Sequence, residues 1–299
     1  FAISDQRIEA ALDDVIALGI PACTIFSALI LSDDSTPNLK QRIAIKAQSA
    51  GLLIAGANGM GFYNVRDRVL AGGFDTRDHP YPGNVALISQ SGAGMSGIVD
   101  CEQRIQFNFA VSSGYELTVA MEDYLDYALD LPETRVVGLF LETSRYPEKL
   151  IQAFKKANQR NIPIVVLKVG RTDLAAELAI SHSGALAGSD QCYSALFDQY
   201  GVQRVADMDQ LATTLIMFAQ PKVVSEGGLV CLHDSGGERQ LLIDLADTAD
   251  VPLAQLSDPT VTSLEGLLDP GLPAVNPLDA WGAGGPHAPE KMAACFTAI

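Results

Sequence analysis

The sequence has no long hydrophobic run and carries little positive charge. No apolar stretch among its 299 residues approaches the ~18 residues that a membrane-spanning helix needs, and no basic region followed by an apolar one marks the N-terminus. Lys and Arg total 20 against 36 Asp and Glu, which gives a net charge of −16. Because nucleic acids and anionic membranes are themselves negatively charged, we expect neither as a partner.

Cysteine is also scarce and is not clustered. The five cysteines are Cys23, Cys101, Cys192, Cys231 and Cys295, and no two of them have C-x-x-C spacing. The sequence therefore predicts neither a metal site nor a disulfide framework, and a reducing, cytoplasmic environment is expected. With 48% hydrophobic and 19% charged residues, the chain is expected to form two or three globular domains.

Alternating helix and strand patterns predict an α/β protein with parallel sheets. Residues 1–80 contain a helical pattern from Arg7 to Leu18, the strand IPACTIFSALIL, a helix from Leu39 to Ala50 and the strand LLIAG, as in part of a Rossmann-like domain. Residues 81–221 contain five strand candidates, VALIS, FNFAVS, VVGLFLE, IPIVVLKV and VQRVA, separated by helical patterns. They predict a flavodoxin-like domain, and residues 222–299 a third α/β domain. Because helical patterns run up to both ends, we expect the first and third domains to be incomplete.

A lone histidine lies among small residues in the segment SHSGALAGSD, Ser181 to Asp190, after the predicted strand Ile162 to Gly170. Small neighbours let backbone N–H groups approach an anion, and imidazole is a usable nucleophile at neutral pH. This combination suits a histidine that is transiently phosphorylated. A histidine that caps a helix or faces solvent fits the same segment, and the histidine alone does not decide between them.

Polar loops follow other predicted strands. The segment SQSGAGMSG, Ser89 to Gly97, leads from a strand into a helix, and SSGYE, Ser112 to Glu116, has a similar layout. Backbone N–H groups at such a helix start can hold a phosphate or carboxylate, although serine and glycine are also ordinary capping residues. Glu142 ends the strand VVGLFLE, where its carboxylate could orient the histidine or simply meet solvent.

Taken together, these segments resemble the NDP-forming acyl-CoA synthetases, which include ADP-forming acetyl-CoA synthetase and the alpha subunit of succinyl-CoA synthetase. The segment SHSGALAGSD is similar to the phosphohistidine loop of that family, SQSGAGMSG to its phosphate-binding helix start, and SSGYE to its second phosphate-side loop. GANGMGFYN resembles the loop that closes the CoA-binding domain, and Leu141–Glu142 the histidine-orienting acid. The resemblance covers nearly the whole chain, with departures at Ala57, at Tyr115 and in HDSGG.

The resemblance implies a role for each candidate site residue. His182 would carry the phosphoryl group, and Glu142 would orient it. The implied phosphate- or substrate-binding residues are Ser91, Gly92, Ala93, Ser113, Gly114, Ser183 and Gly184. Asn58 and Gly59 would lie on the CoA side. In this scheme residues 1–80 bind CoA, residues 81–221 carry the phosphohistidine and residues 222–299 are the third ligase domain.

The implied activity is an ATP-dependent, ADP-forming ligation of a carboxylic acid to CoA through phosphohistidine and an acyl phosphate. ATP or ADP with Mg²⁺ would bind to an ATP-grasp domain, expected after Ile299 or on another chain, and the first strand of the CoA domain is expected before Phe1. We expect an oligomer. The alternative is a non-catalytic acyl-CoA-sensing module, against which the presence of His182 and Glu142 argues. A Rossmann oxidoreductase, which would need a G-x-G-x-x-G motif together with a following ribose-binding acid, is a weaker reading.

Overall fold

The computed structural model describes residues 1–172, 174–175, 189–221, 227–282 and 285–299. The chain divides into two units, Phe1–Pro221 and Lys222–Ile299. Separate clusters of buried apolar side chains form the cores, three of them in the first unit and one in the second.

The first unit begins with two helix–strand pairs. These are α1 (Asp5–Ala17), β1 (Ala22–Ile25), α2 (Leu39–Ala50) and β2 (Leu53–Gly56). Strands β1 and β2 pair in parallel. Ile8 and Leu12 of α1 pack with Ile43 of α2 against Ile25 and Ile54 of the strands, as the helical spacing of these residues predicts. The predicted α/β pattern of this region is confirmed.

Strand β1 is shorter than the apolar run IPACTIFSALIL predicts. The carboxylate of Asp5 accepts hydrogen bonds from the backbone N–H groups of Leu29 and Ile30, at 3.1 and 3.3 Å. Leu29 has a positive φ of 55°, so the chain turns there instead of continuing in an extended conformation. The Asp5 side chain of helix α1 therefore ends strand β1 earlier than the hydrophobic pattern alone predicts.

A seven-stranded sheet forms the centre of the first unit. Its strands are β3 (Gly61–Asn64), β4 (Val69–Gly72), β5 (Val85–Ser89), β6 (Phe107–Ser112), β7 (Val136–Leu141), β8 (Ile164–Lys168) and β9 (Gln203–Val205). Their order is β4-β3-β6-β5-β7-β8-β9. The last five strands along the chain pair in parallel, in the order second, first, third, fourth, fifth. This order is that of a flavodoxin-like fold, and the predicted fold class is confirmed.

Helices cover both faces of this sheet. They are α3 (Gly92–Cys101), α4 (Met121–Asp130), α5 (Pro147–Gln159), α6 (Asp190–Tyr200) and α7 (Met208–Phe218). Leu125, Phe154 and Phe197 belong to the core on one face, and Met95 and Leu211 to the core on the other. Every residue of β5, β6 and β8 is buried, which explains why these strands read as continuous apolar runs.

The hairpin of β3 and β4 was not predicted. Strand β3 pairs antiparallel with β4 on one side and with β6 on the other, with Gly61 opposite Ser112. The hairpin therefore extends the flavodoxin-like sheet with residues that the sequence assigns to the preceding domain. The boundaries 1–80, 81–221 and 222–299 stay predictions.

The second unit is a smaller α/β arrangement. It contains β10 (Leu232–His233), α8 (Gly236–Thr248), α9 (Asp258–Glu265), β11 (Leu278–Asp279) and α10 (Ala288–Ala298). Strands β10 and β11 pair in parallel. Asn276 accepts a hydrogen bond from the N–H of Cys231 at 3.0 Å and donates to the carbonyl oxygens of Leu229 and Ala254. Its side chain thus ties three segments of this unit together.

Across the described ranges of both units, no helix is long and apolar enough to cross a membrane.

Candidate active site

A cavity of about 300 Å³ lies where the loops after β2, β5, β6 and β7 meet. Its lining residues are Phe26, Asn58, Gly59, Met60, Gln90, Ser91, Gly92, Ala93, Gly114, Tyr115 and Glu142. Strand β5 is the point where the strand order of the parallel sheet reverses, and ligands of such sheets bind beyond the carboxyl ends of the strands at that point. The structure thus brings together the predicted CoA-side residues Asn58 and Gly59, the helix start and Glu142.

The start of helix α3 forms one wall of the cavity. The Oγ of Ser91 accepts a hydrogen bond from the N–H of Gly94 at 3.1 Å, and the N–H of Ser91 itself donates to Ser89 Oγ at 3.2 Å. The N–H groups of Gly92 and Ala93 have no acceptor among the residues that the structure describes. Together with the positive end of the helix dipole, they suit a phosphate or carboxylate group.

Two glycines allow close approaches around the cavity. A β-carbon on Gly92 would lie 2.6 Å from Cγ of Met60, whose side chain therefore fits against the helix start only because residue 92 is glycine. Gly114 has a positive φ of 61°, and a β-carbon there would lie 2.1 Å from the carbonyl oxygen of Ala57. The same oxygen accepts the N–H of Tyr115 at 2.7 Å. The loops after β2 and β6 are thus joined backbone to backbone.

Among the predicted site residues that the structure describes, Ser113 is the one that does not line this cavity. Ser113 is buried, and its N–H donates to the carbonyl oxygen of Ser89 at 2.8 Å. Its hydroxyl donates to Glu116 at 2.8 Å, so Ser113 lies behind the cavity wall and holds the loop. His182, Ser183 and Gly184 lie outside the described residues, and their roles stay predictions.

Glu142 directly follows β7, half-buried at the cavity wall. Its N–H donates to Gln90 Oε1 at 2.7 Å, and its carbonyl oxygen accepts from Nζ of Lys168 at 2.7 Å. Both peptide groups of the residue are therefore fixed by side chains. This restricts where the carboxylate can lie relative to the start of α3.

Comparison with known proteins identifies relatives of this chain. Residues 82–218 match the family model described as the succinyl-CoA ligase like flavodoxin domain. The ADP-forming acetate–CoA ligase of Methanocaldococcus jannaschii is 28% identical over 94% of this chain. The alpha subunit of ADP-forming acetate–CoA ligase II of Pyrococcus furiosus is 31% identical over 78% of this chain. Residues 82–218 therefore belong to the family of succinyl-CoA ligase like flavodoxin domains.

The chain spans only part of these relatives of the acyl-CoA synthetase family: 39% of the first and 50% of the second. Among solved structures, the fold is similar to that of the dinucleotide-forming acetyl-coenzyme A synthetase 1 of Candidatus Korarchaeum cryptofilum, solved in complex with phosphate and ADP. The TM-score is 0.80 at 23% sequence identity, over 98% of this chain and 63% of that one. This likeness shows a shared fold.

A buried ion pair supports the cavity wall. One carboxylate oxygen of Glu116 accepts from Gln90 Nε2 at 3.0 Å, from Ser113 Oγ at 2.8 Å and from the N–H of Met121, the first residue of α4, at 3.2 Å. The other accepts from Nε of Arg145 at 2.8 Å. Burial raises the pKa of Glu116, whereas the hydrogen bonds from Gln90 and Ser113 and the charge of Arg145 oppose that shift. Because all these contacts are donated to the carboxylate, the geometry is that of an ionised pair.

A buried lysine braces the other side of the loop after β7. Lys168 is 2% exposed, and its Nζ donates to the carbonyl oxygens of Glu142 and Val169. It lies 4.8 Å from the ring centroid of Tyr193, whose hydroxyl accepts the N–H of Ser144 at 2.8 Å. Burial lowers the pKa of Lys168. The loop carrying Glu142 is therefore held from β8 and α6 as well as from β5.

The sequence analysis named the segments that contain Gln90 and Glu116, but it did not single out these two residues or Arg145. The available signal was the polar residue within each loop that follows a parallel strand. No Lys or Arg is among the described residues that line the cavity. In the described ranges, no three His, Cys, Asp or Glu side chains group as metal ligands.

Proposed function

We propose that this chain supplies the CoA-binding and phosphohistidine parts of an ATP-dependent, ADP-forming acid–thiol ligase. The observation that carries the proposal is the shared cavity, which is lined by Gly92 and Ala93 at the start of α3, by Glu142, and by the CoA-side loop of Asn58 and Gly59. The family relationship supports it. Because the chain spans half or less of its curated relatives, the proposal concerns the complete protein.

The chemistry follows from the poor reactivity of a carboxylate toward a thiol. In the first step, an imidazole nitrogen of His182 would attack the terminal phosphorus of ATP and release ADP. A carboxylate oxygen of the acid would then take the phosphoryl group from His182, giving an acyl phosphate. Finally, the CoA sulfur would attack the acyl carbon, inorganic phosphate would leave, and the thiol proton would pass to a base or solvent. Each step exchanges one bond for another, so the sequence is reversible.

The residues of the cavity would have different roles in these steps. The N–H groups of Gly92 and Ala93 would bind oxygens of the moving phosphoryl group, with the dipole of α3 stabilising their charge. Glu142 would accept a hydrogen bond from the Nδ1–H of His182, which leaves Nε2 as the nucleophile. Gly114, Ser183 and Gly184 would complete the phosphate side. Ser113 would act through the loop it holds.

The nucleotide is proposed to bind elsewhere in the complete protein. An ATP-grasp domain or subunit would provide ATP and its Mg²⁺, which neutralises charge on the phosphates. The acid, CoA and this nucleotide-binding part are the proposed partners. An oligomeric assembly and a cytoplasmic location stay predictions.

Phosphorylation of His182 tests the proposal directly. The complete enzyme, incubated with γ-labelled ATP and Mg²⁺, should acquire acid-labile, base-stable phosphate, and His182→Asn should abolish the labelling. The matched control is His287→Asn, because His287 has an exposed side chain in the second unit. Undiminished labelling of His182→Asn would refute the assignment.

The same experiment separates the enzyme from the acyl-CoA-sensing module. A sensor would bind acyl-CoA without transferring phosphate, so neither the parent nor any variant would become labelled. The ligase alone is expected to lose its label when acid and CoA are added, and to form acyl-CoA as it does so.

A further inference from the structure

The side chain of Gln90 connects three loops of the cavity. Its Oε1 accepts the N–H groups of Glu142 and Thr143 at 2.7 and 3.0 Å. Its Nε2 donates to the carbonyl oxygen of Thr143 at 2.7 Å and to Glu116 at 3.0 Å. The next residue, Ser91, caps helix α3. One amide group therefore links the helix start to the loops that carry Glu142 and Glu116.

The pattern of donors and acceptors fixes the orientation of this amide. Two N–H groups face the oxygen, while a carbonyl and a carboxylate face the nitrogen. A flipped amide would place N–H groups against N–H groups and oxygens against an oxygen. Both amide hydrogens of Gln90 are also used within the protein. Although Gln90 lines the cavity, its amide is thus committed to the loops and has no donor left for a ligand.

The loop after β7 depends on these bonds. Thr143 is only 4% exposed, and both of its backbone polar groups bind the Gln90 side chain. A buried peptide group that loses its hydrogen-bond partner is destabilised, so the loop would rearrange to find other partners. Any such movement displaces Glu142, and a displacement of ~1 Å at a reacting centre can slow chemistry ~100-fold.

We propose that Gln90 is a positioning residue that sets the place of Glu142 relative to the anion-binding start of α3. The inference rests on the proposed function, because it assigns Gln90 an effect on phosphoryl transfer to His182. Gln90 acts through Glu142 and touches no reacting atom. Its position in the chain, directly before the helix cap, makes the helix start and the carboxylate one rigid arrangement.

Two variants of the complete enzyme test this role. Gln90→Ala removes all four hydrogen bonds. Gln90→Glu keeps the volume and the acceptor for Glu142 and Thr143, but it removes both donated bonds and adds a charge facing the Glu116 carboxylate. The matched control is Gln159→Ala, which removes an exposed glutamine near the end of α5.

The measurement is the rate of His182 phosphorylation by ATP before steady state, together with KM for CoA. Both Gln90 variants should phosphorylate ~10- to 100-fold more slowly, the scale for losing an orienting partner, while KM for CoA and the Gln159→Ala rate stay at the parent values. Hydrogen exchange of the 142–146 segment should be faster in Gln90→Ala than in the parent. This second readout does not depend on activity.

A double-mutant cycle distinguishes positioning from a general loss of structure. If Gln90 acts through Glu142, then Gln90→Ala should slow phosphorylation little further in a Glu142→Gln background, because coupled residues are not additive. Full additivity, or a parent rate in both Gln90 variants, would overturn the inference and leave the proposed function intact. Absence of any labelling in the parent enzyme would instead overturn the proposed function, and this inference with it. If Gln90→Ala fails to fold, Gln90→Glu and its double-mutant cycle with Glu142→Gln test the same inference.

Discussion

The α-carbon of Gly114 faces the carbonyl oxygen of Ala57 so closely that a β-carbon on residue 114 would lie 2.1 Å from it. Two loops from different parts of the first unit therefore contact each other through bare backbone. This contact closes one side of the cavity, so its tightness bears on both stability and ligand binding.

Gly114→Ala should destabilise the protein for two reasons that a control can separate. Gly201 has nearly the same φ, 65° against 61°, but open space around its missing β-carbon. Gly201→Ala should therefore lower the free energy of unfolding only by the cost of placing an alanine in the left-handed backbone conformation, roughly 1–2 kcal/mol. Gly114→Ala should lose a further ~1–3 kcal/mol from overpacking. Urea unfolding of both variants measures the difference, and equal losses would show that the loops can separate without penalty.

Gly92→Val should weaken the binding of inorganic phosphate to the complete enzyme. The branched side chain would cover the N–H groups of Gly92 and Ala93, and losing charge-assisted hydrogen bonds of this kind corresponds to roughly a 10- to 100-fold lower affinity. The new side chain would also collide with Met60. Calorimetric titration with phosphate is the measurement.

Met60→Ala in the Gly92→Val background separates these two effects. Removing the Met60 side chain should recover stability, because the collision is relieved, but it should not recover phosphate affinity. Recovery of both stability and phosphate affinity would mean that residue 92 must be glycine because of its packing against Met60, and not because of an anion site. Parent affinity in a folded Gly92→Val enzyme would exclude this helix start from the site.

Glu142→Gln should retain the fold and slow phosphorylation of His182 by ~10- to 100-fold. An amide in place of the carboxylate keeps the shape but no longer stabilises a positively charged imidazole. The backbone bonds of residue 142 to Gln90 and Lys168 are unaffected by the change. Rapid-quench labelling gives the rate, and a value equal to that of the parent would make Glu142 a bystander.

The stability of the protein should depend on Lys168 at alkaline pH. Burial lowers the pKa of Lys168 in the folded state, so the unfolded chain binds more protons between that lowered value and the ordinary lysine value of about 10.4. The contribution of Lys168 to the free energy of unfolding therefore rises with pH across this window. The difference in stability between the parent and Lys168→Met should grow in the parent's favour from pH 7 to pH 10.

Urea unfolding at several pH values measures this difference. Lys155→Met, which removes an exposed lysine of α5, controls for the change in total charge. A difference between the parent and Lys168→Met that shrinks as the pH rises would contradict the predicted sign.

Local signals explain which parts of the fold were accessible from sequence. The helix from Leu39 to Ala50 was predicted with its observed ends because both ends are specified locally. Asn38 and Gln41 form a reciprocal capping box, and Gly51 adopts the left-handed conformation at the C-cap. The parallel strands were likewise found because burial on both faces makes them continuous apolar runs.

Long-range partners explain what the sequence left open. Strand β3 has only four residues and begins at a glycine, so the local sequence does not predict its pairing with β6. The cavity loops were predicted because they follow strand ends. The direction of each side chain within them was not: Ser113 was expected at the phosphate side but points to Glu116, and Gln90 was passed over although it connects three loops. The direction of the Gln90 side chain depends on Glu116 and Glu142, which are more than 20 residues away in the chain.

The antiparallel hairpin of β3 and β4 has a consequence for dissecting this chain. It covers the outer edge of β6, a six-residue strand that is buried along its whole length. A fragment that starts at residue 81 would leave that edge with unpaired backbone N–H and C=O groups and an apolar flank. Uncovered edges of this kind recruit strands from other molecules. Residues 61–72 therefore cover an edge that would otherwise favour aggregation, and we expect a soluble fragment of the flavodoxin-like sheet to need this hairpin.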